Sequence, residues 1–366
     1  MHAIELLPTD LTAVETSLWH ELGTSQSIRL DLNEMPFDLP QELKQHIANK
    51  LISLNWNRYP DFYNWELTSL IAASAGVTTD SVILGNGSSA LIQQLVSCFS
   101  KVYGQAVLEK PTFGFYHQVC AQERLPYQEW VLAEDGTYEI ENFPRLAEPT
   151  LVMLTSPNNP MGTLLPLKDL RLLLAAYPDS VFVLDEAYSE FSNQSALSLV
   201  HEFANLMVLK TFSKGYGLPG LRLGYLVGSP SLVRLLKANT VPFTINIFTE
   251  LVVKELLANP AFAQAVRINR ERVKGLRDFS LYLLQELAGE DRFIVQPSGT
   301  NFLMLRFRNS ELHQSLKDLF AQRGIRVSYP MPLTMRITIG TEPQMHQLVR
   351  LIKHVVNVSK PAALAV

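Results

Sequence analysis

The sequence predicts an α/β protein with a mostly parallel sheet covered by helices on both faces, and three observations carry that prediction. Apolar runs of strand length alternate with stretches of helical character: Gln105 to Leu108, Leu151 to Leu154, Val181 to Leu184, Leu206 to Leu209 and Leu223 to Val227. Two of these runs end in polar segments, Thr155-Ser156-Pro157-Asn158-Asn159-Pro160-Met161-Gly162-Thr163 and Asp185-Glu186-Ala187-Tyr188, which are expected at one edge of the sheet. The chain has 366 residues, 47% of them hydrophobic, enough for two subdomains that share a cleft. In such a sheet a ligand binds beyond the carboxyl ends of the strands.

From the N-terminus, Leu11, Val14, Leu18, Trp19 and Leu22 recur at helical spacing after Pro8 and Thr9, so a helix packed on the body is expected from Thr9 to Leu22. Val82-Ile83-Leu84 reads as a strand that turns through Gly85-Asn86-Gly87-Ser88-Ser89-Ala90 into a helix. A glycine turn opening a helix presents unpaired amides and a positive dipole end, so Gly87, Ser88 and Ser89 are candidate phosphate contacts. Beyond Pro242 the chain becomes helical and charged, then ends in strands near Asn301 to Phe307 and Met335 to Ile339. The expected division is 1–60 as an N-terminal segment with part of a small subdomain, 61–242 as the large subdomain, and 243–366 as the C-terminal small subdomain. Ser359 to Val366 reads as a frayed tail.

Composition excludes several function classes. The 31 basic and 35 acidic residues give a formal net charge of −4, which offers no footprint for nucleic acid. No apolar run reaches membrane-spanning length and no signal peptide is evident, so a cytoplasmic protein is expected. Cys98 and Cys120 sit in apolar or amphipathic stretches and read as buried reduced thiols. The eight histidines lack zinc-type spacing, and no metal is expected.

The chemistry centres on Lys214, in Thr211-Phe212-Ser213-Lys214-Gly215-Tyr216-Gly217-Leu218-Pro219-Gly220-Leu221-Arg222. An amine attacks a carbonyl effectively when desolvated among cations, which lowers its pKa. Ser213 and Arg222 suit a phosphate group, and the glycines let backbone approach a ligand closely. This is the outline of a site for pyridoxal phosphate, an aldehyde cofactor. The cofactor's ring nitrogen stays protonated only against a carboxylate, and Asp185 fits. Its phenolate oxygen needs neutral donors, for which Asn159 and Tyr188 serve. Phe113, in Pro111-Thr112-Phe113-Gly114-Phe115-Tyr116, offers a flat face for stacking. His117 follows directly and could reach the substrate or the cofactor edge. Glu34 and Asp31 lie near the expected mouth, where a carboxylate could receive a cationic side chain.

With Asn33-Glu34-Met35-Pro36, Arg58-Tyr59-Pro60-Asp61, Gly85-Asn86-Gly87-Ser88, Ser156-Pro157-Asn158-Asn159-Pro160, Asp185-Glu186-Ala187-Tyr188, the lysine segment and Met335-Arg336-Ile337-Thr338-Ile339-Gly340-Thr341, the chain resembles the fold-type I pyridoxal phosphate enzymes. Within them it is similar to the class I/II aminotransferases of the histidinol-phosphate aminotransferase branch, from about Leu30 to about Ile352. The resemblance implies a mostly parallel seven-stranded sheet in a pyridoxal phosphate-binding large subdomain, beside a smaller α+β subdomain. It implies transamination of an amino acid or amino alcohol phosphate, with Lys214, Asp185 and Tyr188 catalytic and Arg336 holding the substrate carboxylate. It further implies a homodimer with a shared active site, in which Tyr59 reaches the neighbouring subunit's cofactor phosphate.

The chain departs from that branch where an arginine usually takes the substrate phosphate. Counting from Gly324-Ile325 puts Ser328 there, with Arg326 two residues earlier on the same strand face. Gly87-Ser88-Ser89-Ala90 replaces the branch's acidic phosphate turn, and no tyrosine matches near Thr16 to Trp19. Weak binding of histidinol phosphate is therefore expected, with a neutral or cationic amino acid preferred and Glu34, Asp31 or Glu15 facing it. The alternatives are relatives that keep the cofactor but eliminate and cyclise hydroxylated arginine to capreomycidine or enduracididine, or decarboxylate threonine phosphate. A nonenzymatic regulatory domain is disfavoured because every cofactor-binding residue type is present.

Overall fold

The computed structural model describes residues 27–358; the expected helix from Thr9 to Leu22, Glu15 and the tail from Ser359 lie outside them. In chain order the elements begin with β1 (Ile28–Leu30), α1 (Gln41–Ile52), α2 (Trp65–Ala75), β2 (Val82–Gly85), α3 (Ser88–Phe99), β3 (Ala106–Lys110), α4 (Phe115–Gln122) and β4 (Tyr127–Val131). Next come β5 (Leu151–Thr155), α5 (Leu167–Ala176), β6 (Val181–Asp185), β7 (Leu206–Thr211), β8 (Gly224–Gly228), α6 (Pro230–Lys237), α7 (Ile247–Ala258) and α8 (Pro260–Gln285). The chain then runs through β9 (Phe293–Val295), β10 (Phe302–Phe307), α9 (Ser310–Gln322), β11 (Ile325–Val327), β12 (Thr334–Thr338) and α10 (Glu342–Val358). Among the described residues no helix is long and apolar enough to cross a membrane.

The large sheet has seven strands in the order β2-β8-β7-β6-β5-β3-β4. β8 runs antiparallel to both neighbours, and the other pairings are parallel. Residues of β5, β6 and β7 are buried throughout, because helices cover both faces of the sheet. One face packs Leu91, Leu95 and Phe99 of α3 with Tyr116 and Val119 of α4. The other packs Leu170, Leu173 and Leu174 of α5 with Trp130 and Leu199. β4 is a seventh strand that the apolar pattern did not announce. Among the described residues it is an edge strand paired with β3, and it buries Trp130 while Tyr127, Gln128 and Val131 stay exposed.

The smaller subdomain holds the antiparallel sheet β12-β10-β9 and the parallel pair β1-β11, which is joined to β12 through a bridge between Ser328 and Arg336. Its own core gathers Phe293, Phe302, Leu305, Leu316, Phe320, Ile337 and Ile352. Ile47 of α1 packs with Leu67 and Ile71 of α2, and with Val252, Val253 and Leu256 of α7, against Val82, Leu84 and Tyr225 of the large sheet. Both α1 and α7 therefore belong to the large body, because their apolar stripes find cover there, and only the β1 segment of the N-terminal part joins the small sheet system. Cys98 and Cys120 are buried, unpaired thiols.

Candidate active site

The carboxyl ends of β5, β6 and β7 open onto one cavity of about 350 Å³, of a size for a small ligand. Thr155, Asp185 and Thr211, the last residues of these strands, line it together with Ser88, Ser89, Phe113, Asn159, Tyr188, Ser213, Lys214 and Arg222. The N-terminal segment and the small subdomain contribute Leu32, Asn33, Glu34 and Arg336.

Lys214 follows β7 in a turn, and its ammonium donates to the carbonyl oxygens of Leu32 at 2.8 Å and Asn33 at 3.2 Å. Burial and the neighbouring cations Arg336 and Arg222, opposed by Glu34, bring its pKa down to about 8. A lysine so shifted supplies neutral amine near physiological pH. Asp185 ends β6 and is buried; Oδ2 accepts from the Tyr116 hydroxyl at 2.9 Å, and Oδ1 from the Ala187 amide at 2.9 Å. Burial pushes its carboxyl up to about 6 despite those two hydrogen bonds. Among the described residues no basic side chain lies within ion-pair distance of it. Lys210 pulls it down from a distance, but burial outweighs that attraction.

The anion end is built by close approach. α3 begins at Ser88, so its unpaired amides and hydroxyls face the cavity. Gly87 has a φ of +82°, and a Cβ there would stand 2.5 Å from a guanidinium nitrogen of Arg222. A Cβ on Gly224 would stand 2.5 Å from the Ser88 nitrogen, so β8 also yields room to the helix start. Tyr188 is buried, and burial raises its pKa, keeping the phenol a donor. Arg336 donates to Asn159 Oδ1 at 2.5 Å and to the Asp31 carbonyl at 2.9 Å, while its buried Nε has no hydrogen-bond partner among the described residues. A planar fork held at two points suits bidentate capture of a carboxylate.

These donors fit pyridoxal phosphate. Asp185 would meet the ring nitrogen, Phe113 the ring face, Tyr188 and Asn159 the phenolate oxygen, and Ser88, Ser89, Ser213 and Arg222 the phosphate; Lys214 would engage the aldehyde carbon.

The comparisons with known proteins bear on the whole chain. A family profile described as aminotransferase class I and II matches residues 25–352. The chain belongs to the class I and II aminotransferases. Among relatives of this aminotransferase, a protein of Thermococcus kodakarensis named histidinol-phosphate aminotransferase is 35% identical over 319 residues, covering 86% of this chain and 88% of that one. One of the same name from Ruminiclostridium cellulolyticum is 30% identical, covering 87% and 89%. Solved structures share the fold at lower identity. The histidinol-phosphate aminotransferase of Sinorhizobium meliloti, in complex with pyridoxal-5'-phosphate, has a TM-score of 0.80 at 22% identity, covering 97% and 96% of the two chains. The L-threonine-O-3-phosphate decarboxylase of Porphyromonas gingivalis has a TM-score of 0.78 at 22% identity, covering 90% and 99%.

Several residues of this aminotransferase stand apart from their expected places. His117 is not part of the cavity lining; its ring meets the Tyr127 ring at 5.2 Å and its Nε2 lies 4.0 Å from Glu129. Tyr116, one residue earlier on α4, turns inward to Asp185, and the ~100° helical step carries His117 away toward β4. Asp31 does not stand open at the mouth; it is buried and its Oδ2 pairs with Arg326 Nε at 3.4 Å. Glu34 lines the cavity but faces Arg29 at 3.2 Å. Ser328 sits opposite Arg336 through their bridge. Tyr59 is 80% exposed, outside the cavity lining, and stacks on Phe243 at 4.6 Å.

Sequence reasoning assigned no role to Asn33 or Tyr116. Asn33 donates from its amide to the Tyr188 hydroxyl at 2.8 Å, and from its backbone N–H to Thr338. It adopts a φ of 53°, a left-handed conformation that Asn tolerates better than most residues. Both residues stood within quoted motifs, but the sequence held no signal for partners so far along the chain.

Proposed function

We propose that this aminotransferase binds pyridoxal phosphate through Lys214 and transfers the amino group of an amino acid or amino alcohol phosphate to a keto acid, in the manner of the histidinol-phosphate aminotransferases. The observation that carries this reading is that a lysine of lowered pKa, a buried carboxylate and a fork-presenting arginine line one cavity. Bound there, the cofactor supplies a protonated ring that accepts the electron pair left when the substrate loses its α-proton. Asp185 holds the proton at the ring nitrogen. Lys214, neutral above about pH 8, takes and returns the migrating proton. Arg336 orients the substrate through its carboxylate or equivalent polar group, and Asn159 holds Arg336 in place.

The protein acts, on this reading, as a cytoplasmic homodimer in which Tyr59 completes the partner's phosphate site. The exposed Tyr59, Phe62, Tyr63, Trp65 and Phe243 support it as an apolar surface needing cover. At the substrate end Arg29 and Arg326 are already paired with Glu34 and Asp31, so the substrate assay decides which donor is preferred. Incubation of the purified enzyme with histidinol phosphate and 2-oxoglutarate tests the reading through glutamate formation. Glutamate that appears only when both are present agrees with it. Turnover of arginine or hydroxyarginine without any keto acid would point to the elimination and cyclisation chemistry instead.

A further inference from the structure

Glu109 on β3 is completely buried, lies outside the cavity lining and has no part in the chemistry described above. Its Oε1 accepts from four donors: the Thr112 hydroxyl at 2.7 Å, the Thr155 hydroxyl at 2.6 Å, the Thr155 amide at 3.1 Å and the Asn158 side-chain amide at 3.4 Å. Oε2 has no hydrogen-bond partner among the described residues, so the anchoring passes through one oxygen.

The donors come from two segments that both reach the cavity. Thr112 precedes Phe113, Thr155 itself lines the cavity, and Asn158 lies between the lining residues Pro157 and Asn159. Asn158 also donates to the Pro111 carbonyl at 3.1 Å, tying the segments directly, and its side-chain oxygen accepts from the Met161 amide at 2.9 Å. Asn159 in turn accepts from Arg336. A fully buried carboxyl is costly: burial pushes this one up to about 7 against the pull of its hydrogen bonds. An apolar side chain of similar size would often serve stability as well or better. What an apolar residue lacks is an acceptor that fixes two segments at one point.

We propose that Glu109 is a positioning residue, whose Oε1 sets where Phe113 and the Asn159–Arg336 pair stand about the bound cofactor and substrate. The inference rests on the aminotransferase reading. Phe113 governs ring stacking, and Asn159 governs the direction of the Arg336 fork, so one hub controls both.

The test compares wild-type holoenzyme with Glu109→Leu, Glu109→Gln and Thr112→Val. It reads the visible circular dichroism of the bound cofactor per cofactor retained, KM and kcat for the amino donor, and the thermal midpoint. Glu109→Leu is expected to change the dichroic band at least about twofold and raise KM about tenfold, a loss of orientation rather than of chemistry. Glu109→Gln keeps an acceptor oxygen and is expected to restore both toward wild type. Thr112→Val, which releases the stacking segment alone, is expected to alter the band while KM stays within about twofold, and it preserves the test if Glu109→Leu does not fold. A lowered thermal midpoint with an unchanged band and KM in Glu109→Leu, or with an unchanged band in Thr112→Val, overturns the inference. A wild-type protein without any visible cofactor band sinks the aminotransferase reading itself, which separates the two failures.

Discussion

One wall of the cavity is formed where neighbouring strands of the large sheet end, with Thr155, Asp185 and Thr211 at the termini of β5, β6 and β7 and Lys214 three residues on. The other wall is assembled from residues far apart in sequence: Asn33 meets Thr338 across 305 positions and Tyr188 across 155. The first wall is fixed by fully buried strands, so its side chains start from rigid backbone. The second combines Arg336 of β12, which pairs along its length with β10, with the N-terminal segment, whose short strand β1 lies beside β11. The contrast separates chemistry from recognition. On the proposed function, the groups that handle protons stand on the large sheet, while Arg336, which would orient substrate, stands on the small subdomain beside the N-terminal segment.

Substitutions on the two walls are therefore expected to fail differently. Lys214→Ala should abolish turnover and the visible absorbance of the bound cofactor, measured by spectrophotometry of purified protein. Asp185→Asn should retain cofactor while kcat falls by roughly 10³-fold, the scale of removing a preorganised electrostatic partner. Turnover close to wild type in that variant would contradict the role given to the sheet wall. Asn33→Ala, on the other wall, removes the amide that steadies the Tyr188 hydroxyl and is expected to cost roughly tenfold in kcat/KM, the worth of one buried hydrogen bond. A larger loss than in Asp185→Asn would reverse the comparison.

The smallest effect concerns the cofactor-free protein. Asp185 has an ordinary value of 3.8 and stands at about 6 when folded, so its contribution to stability declines as pH rises from about 4 to about 6 and remains low above that. Over that window the loss is on the order of 3 kcal/mol. Lys214 has the opposite sign: its penalty is present below about pH 8 and lifts as pH rises toward 10.5. Denaturant titrations of the apoprotein across pH 4 to 7 should show a shallower decline for Asp185→Asn than for wild type.

The same contrast explains what could be read from the amino-acid sequence. β5 and β6 are continuous apolar runs followed by polar turns, so Asn159 and Asp185 could be placed on one sheet edge by local pattern, while Lys214 was legible from the chemistry of its own glycine-rich segment. β4 escaped because an edge strand with one buried face carries a weaker pattern. Asn33 and Tyr116 escaped because their partners are distant in sequence, and neither residue type announces a long-range hydrogen bond. Asp31 and His117 show the converse. Each carried suitable chemistry near a motif, but β1–β11 pairing gave Asp31 to Arg326, and helical rotation turned His117 toward Glu129.

The most direct measurement treats the purified enzyme, loaded with pyridoxal phosphate, with borohydride, followed by digestion and mass mapping of the pyridoxyl group. The account predicts a single modified peptide, carrying the group on Lys214. A pyridoxyl group on any other lysine, such as the buried Lys210 of β7, would contradict it.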